Sequence, residues 1–149
     1  MTSFELQLPD DQAARVDRFA QSVRKSRRDA ALQLLEEALR HAEFPAVEFR
    51  ESPQGRQAYV VASSLAVWEL LMIAEDYALD SAATAAHLHW PESKVREVLH
   101  YAKQFAAELE PAIAENRALA PMDFRSQLPA GAWLDTSVPI PGDGDPNSN

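Results

Sequence analysis

Residues 4–42 hold one short alternating segment followed by two amphipathic helical stretches, and no second strand lies close by to pair with the first. Phe4-Glu5-Leu6-Gln7-Leu8 alternates apolar and polar, so one edge faces a core and the other solvent. Pro9 ends the strand. Asp10 and Asp11 then open a helix, because carboxylates there accept the free first-turn N–H groups. Ala13, Val16, Phe19, Ala20 and Val23 follow at helical spacing. Ser26 with Asp29 predicts a capping box, aspartate standing where glutamate is usual, at the start of a second helix. In that helix Gln33, Glu36, Glu37 and Arg40 share a polar stripe, whereas Ala31, Leu32, Leu34, Leu35, Ala38 and Leu39 make a broad apolar surface. A lone strand leaves its backbone donors and acceptors unpaired. The nearest remedy is a second copy of the same strand, antiparallel across a two-fold axis, which also buries the leucine surface. The chain is therefore expected to be a homodimer.

A two-stranded antiparallel ribbon fits the DNA major groove, and its outward side chains reach base edges. The outward set here is Ser3, Glu5 and Gln7. Gln7 can pair with adenine at two points, Ser3 can donate or accept, and Glu5 can accept from cytosine. Arg24, Lys25, Ser26, Arg27 and Arg28 lie at the turn between the helices. There the amides of the second helix also point outward, a setting suited to phosphate. Phosphate contacts would fix the register while the ribbon selects the sequence.

Through Phe4-Glu5-Leu6-Gln7-Leu8-Pro9-Asp10 and Lys25-Ser26-Arg27-Arg28-Asp29-Ala30, the first third of the chain resembles the Arc/MetJ-type ribbon-helix-helix repressors and antitoxins. The resemblance implies that Ser3, Glu5 and Gln7 read bases of a palindromic operator and that Ser26 with Arg27 belongs to a phosphate-anchoring turn. Glu5 stands where this family usually has a neutral or basic residue.

Charge is divided unevenly. The first 42 residues carry seven Lys or Arg against seven Asp or Glu, so the whole net charge of −9 lies beyond Ala42. The DNA-facing end is thus neutral with a local basic cluster, and the acidic remainder suits a basic protein partner. The chain has no cysteine, which excludes disulfides and thiolate metal sites. No secretory signal is visible, and the most apolar stretch, 65–74, is too short for a bilayer and contains Glu69. A cytoplasmic protein without membrane contact is expected.

Phe44-Pro45 marks a boundary. Val47-Glu48-Phe49-Arg50 and Gln57-Ala58-Tyr59-Val60-Val61 flank Ser52-Pro53-Gln54-Gly55, whose turn chemistry predicts a β-hairpin. Ser63 or Ser64 can cap a nearly all-apolar helix running through Trp68 to about Tyr77. Asp80 or Ser81 starts a short helix to Leu88, and Trp90-Pro91 leads into a longer one. Val95, Val98, Leu99, Ala102, Phe105 and Leu109 give that helix its apolar stripe. Short helix, tight turn, longer helix is a helix-turn-helix pattern. Its exposed face offers Glu92, Ser93, Lys94, Arg96, Glu97 and His100, of both signs, so a structural helix pair is the expectation. Phe49-Arg50 through Gly55-Arg56, Val67-Trp68-Glu69 and Val95-Arg96-Glu97-Val98-Leu99-His100-Tyr101 resemble a small prokaryotic antitoxin domain of uncharacterised function, over about residues 45–117. Such domains are often encoded beside PIN-like nuclease toxins, which implies toxin binding or dimerisation.

His87 and His89 are two apart in a helical segment and point to different sides, so no metal site is expected around them and His100. There is no glycine-rich phosphate loop and no nucleophile elbow, and neither an enzyme nor a cofactor is expected. Five of the ten prolines and three of the four glycines fall after Ala120, which opposes regular structure there. Phe124, Trp133 and Leu134 make that tail stickier than a linker needs and mark it as partner-binding, or as packing back on its own helices.

The expected fold is mainly α. A ribbon-helix-helix dimerisation and DNA-binding domain spans 1–44, a β-hairpin plus helix-turn-helix-like helical domain spans 45–118, and a disordered Pro/Gly-rich tail spans 119–149. The corresponding function is a dimeric DNA-binding antitoxin that represses its own operon and neutralises a cognate toxin. Two other functions fit the same residues: a protein-interaction module whose ribbon only dimerises, which Glu5 and the acidity favour, and a transcriptional regulator with no toxin.

Overall fold

Residues 1–119 are described by the computed structural model; the tail with Phe124, Trp133 and Leu134 lies outside the described residues. Met1–Ile113 make one compact unit and Ala114–Asn149 a second. The residues expected as two domains, 1–44 and 45–118, fall in the first unit up to Ile113. Among the described residues the chain is mainly helical with a small two-stranded antiparallel sheet.

Residues 1–9 carry no secondary structure within one chain, so the strand expected over Phe4–Leu8 is not formed there. Its apolar set stands in solvent, Phe4 75%, Leu6 70% and Leu8 38% exposed. An extended segment needs a neighbouring strand to satisfy its backbone, and among the described residues none pairs with it. Helix α1, Asp10–Ser22, begins after Pro9 with no side-chain cap. The expected cap by Asp10 or Asp11 is thus absent, and the two carboxylates favour the helix only through its dipole. Helix α2, Arg27–Glu43, is capped as expected by Ser26, whose hydroxyl oxygen accepts from the Asp29 N–H at 3.1 Å. The box closes differently: the Asp29 carboxylate takes the Ser26 hydroxyl proton at 2.8 Å rather than reaching the backbone.

The hairpin forms where its turn chemistry put it. Strand β1, Val47–Ser52, pairs antiparallel with β2, Gly55–Val60, in a register running from Val47 opposite Val60 to Ser52 opposite Gly55. Gly55 sits at φ +102, a conformation other residues rarely adopt, which is why glycine closes this turn.

Helix α3, Val67–Glu75, starts later than the serines suggest. Ser63 is used before it: its hydroxyl donates to the Val60 carbonyl and accepts from the Leu65 N–H, making a turn. Instead Glu69 reaches back to the Ala66 N–H at 2.7 Å. Helix α4, Ser81–Leu88, is capped by Asp80 through the Ala83 N–H. Helix α5, Glu92–Gln104, does not run on to Leu109 as its stripe implied. It breaks at Phe105, and α6, Ala106–Leu119, follows. Phe105 leaves the helix to stack on Tyr101, centroids 4.7 Å apart, and to meet Phe44 edge-on at 6.3 Å.

The core lies among the hairpin and α3–α6: Val47, Val60, Leu70, Val95, Val98 and Tyr101 are fully buried. Such side chains contribute about 1.5–3 kcal/mol each on leaving water. Among the described residues no helix is long and apolar enough to cross a membrane.

Candidate nucleic-acid and dimer interface

Helix α2 is amphipathic in an unexpected sense: its polar stripe faces its own chain. The Glu37 carboxylate, 12% exposed, receives Arg56 Nε at 2.8 Å on both oxygens, and Gln33 Nε2 donates to it at 2.9 Å. Arg40, also 12% exposed, donates to both oxygens of Glu108 at 2.6 and 2.8 Å, to Glu36 at 2.7 Å and to the Tyr101 hydroxyl at 3.2 Å. Its guanidinium lies 3.9 Å from the Phe105 ring centre, and that of Arg56 lies 5.1 Å from the Phe19 ring centre. Two arginines therefore clamp α1 and α2 to the hairpin and to α5–α6.

The apolar side of α2 is left outward. Leu32, Leu35 and Leu39 are 55%, 45% and 51% exposed, in one row along the helix. Beside them Val16, Phe19 and Leu34, with Gln12 and Arg15, line an apolar groove between α1 and α2. Leu32, Leu35 and Leu39 thus form a contiguous exposed apolar row, a candidate association surface.

The Arg40 hydrogen bonds hold the Glu108 carboxyl below its ordinary value of 4.5, burial opposing them, and raise the Arg40 guanidinium further above neutral pH. Burial pushes the Tyr101 phenol up. A carboxyl depressed in the folded state adds stability that is whole above its unfolded value and is lost as pH falls through the lower folded one. Glu108→Gln is therefore expected to lower the melting temperature at pH 7. The gap from the unmodified protein should begin to narrow below about pH 4.5 and close only as pH falls through the lower folded value, as thermal melts across pH would show. A gap that stays constant with pH would refute the ionic role.

The structure gathers Arg24, Lys25, Ser26, Arg27 and Arg28 at the α1–α2 turn, but not as equals. Arg27 grips Asp17 with two hydrogen bonds, Nε at 2.6 Å and Nη2 at 2.7 Å. Those bonds lower the Asp17 carboxyl and raise Arg27. The Ser26 hydroxyl is spent on Asp29. Arg27 and Ser26 thus also hold the turn together, Arg27 through a pair exposed enough for a phosphate to displace. Lys25 donates to Gln33 at 2.7 Å and, among the described residues, makes no ion pair. Arg24 and Arg28 are exposed and make no ion pair among the described residues. Arg24 sits at φ +53, as a residue closing a helix does. Ser3, Glu5 and Gln7 are exposed on the amino-terminal segment.

Sequence reasoning gave no pairing role to Arg56 or Glu108 and did not foresee the inward use of Glu37 and Arg40. Their partners lie 19 residues apart for Glu37 and Arg56 and 68 for Arg40 and Glu108, beyond the reach of any local pattern. Compared with family models, with curated proteins and with solved structures, the chain finds no match.

Proposed function

We propose that this chain is a dimeric ribbon-helix-helix DNA-binding repressor that acts as an antitoxin on its own operon. The observation that carries the proposal is the outward leucine row of α2 beside exposed Phe4, Leu6 and Leu8. Two copies bring residues 4–8 together as an antiparallel ribbon whose apolar edge covers the α1–α2 groove, and the leucine rows meet across the two-fold axis. The other edge then presents Ser3, Glu5 and Gln7 to base edges in the major groove. Arg24, Lys25 and Arg28 bind phosphate, with Arg27 and Ser26 as struts. The net acidity beyond Ala42 suits a basic toxin, a PIN-like nuclease in this proposal.

Gel-shift titration of the full chain against its operator tests it. With about six phosphate contacts per dimer, log affinity should fall against log salt with a slope of about −5. Gln7→Ala should cost about 1–3 kcal/mol, confined to one base position per half-site. Glu5 favours a second function, a ribbon that dimerises without reading DNA. Unchanged affinity in Gln7→Ala, with the dimer intact, would decide for it.

A further inference from the structure

Helices α4 and α5 make a close-packed pair that the ribbon proposal does not use. They are joined by only three residues, His89-Trp90-Pro91, and His89 takes the left-handed conformation, φ 55 and ψ 42. A turn of this length with a left-handed residue is what sets two helices across each other in DNA-reading helix pairs. The seam between them is close-packed: Ala85 is 3% exposed and Val95 and Val98 are fully buried. Trp90 is pinned by its N–H on the Ala85 carbonyl at 3.0 Å and by Lys94 Nζ 4.4 Å from its ring centre.

Charge is sorted on this pair in a way the mixed composition hides. Its carboxylates are spent. Asp80 caps α4, Glu97 accepts the Ala46 N–H at 2.6 Å, and Glu92 takes Arg96 at 2.6 Å and the Ser81 hydroxyl at 3.0 Å. The outward stripe of α5 is then Ser93, Arg96, His100 and Lys103, all exposed, at spacings of three and four residues on one helical face. Every member can donate a hydrogen bond, and the exposed Arg96–Glu92 pair is weak enough to yield to a phosphate or a guanine edge. We infer that α5 enters the major groove of duplex DNA, with Ser93, Arg96 and His100 toward base edges and Lys103 toward the backbone. This stands apart from the ribbon proposal and needs none of its residues.

The chain has no cysteine, so Ser93→Cys and, separately, Gln7→Cys each introduce a single thiol for a tethered iron-chelate cleavage reagent. The probe is duplex DNA recovered by the full chain from a random-sequence pool. Strand cuts from the position-93 reagent, at fixed sites in the recovered duplex, are expected. Cuts from position 7 alone would overturn the α5 inference and keep the ribbon, and cuts from position 93 alone would do the reverse. No duplex recovered, or no cuts from either, would remove both. The Arg96→Ala/Lys103→Ala double variant should lose affinity by about tenfold or more, and an unchanged affinity would overturn the inference.

Discussion

Leu35→Glu is expected to turn the proposed dimer into a monomer while leaving each chain folded. Leu35 is 45% exposed within its own chain, so a glutamate there disturbs no packed neighbour. Across a two-fold axis the substitution acts twice. It removes the burial of the part of two leucines still exposed in one chain, about 1 kcal/mol each, and brings two carboxylates into an apolar seam where each costs several kcal/mol. Dimer affinity should fall by about 1,000-fold or more, equivalent to about 4 kcal/mol. Sedimentation velocity at micromolar concentration reads this directly, with circular dichroism to check that helix content is kept. Operator reading by the ribbon should vanish with the dimer, because half a ribbon has nothing to pair with. An unmodified protein that stays monomeric at tens of micromolar would end both the dimer and the operator proposals.

The second large effect falls on Arg40. Arg40→Ala removes hydrogen bonds to Glu36, Glu108 and Tyr101 and a cation stacked on Phe105. Cutting a buried ion pair costs about 3–5 kcal/mol, but Glu108 is 54% exposed and regains water when released. The expected loss is accordingly about 2–4 kcal/mol, or about 10 °C in melting temperature for a unit of this size. Arg40→Lys should recover less than half of it, because an ammonium cannot make the forked contact with Glu108. Arg96→Ala is the matched control: its pair with Glu92 is exposed on both sides, and losing it should leave the melting temperature nearly unchanged. Equal effects at Arg40 and Arg96 would show that the buried clamp contributes nothing special.

Local chemistry was readable wherever one residue decides a backbone conformation. Ser26 announced the start of α2, Gly55 the hairpin turn, and Asp80 the start of α4. The misplacements have a common cause, which is that a side chain of the right type was already engaged elsewhere. Ser63 bonds Val60 and Leu65 and cannot cap α3. Phe105 fits the α5 stripe by spacing, yet its ring is drawn to Tyr101 and Phe44, and the helix breaks there without glycine or proline. The basic turn was legible as composition, but not the distribution of tasks within it, because Arg27 meets Asp17 only once α1 and α2 have packed. The orientation of α2 was the hardest to foresee. Its polar and apolar faces are plain in the sequence, but which one meets the rest of the chain depends on Arg56 and Glu108.

That orientation has a consequence for how this protein can vary. A surface helix normally keeps one side on which substitutions drift freely. Here one side of α2 is bound to its own chain through Glu37 and Arg40, and the other, if the leucine row is a seam, is bound to its twin. Little of the helix is then neutral ground, and a change suiting one neighbour must also leave the other undisturbed. Adaptation to a new operator or a new toxin would accordingly be confined to the amino-terminal segment, the outer face of α5 and the chain beyond it, with α2 the slowest part to change.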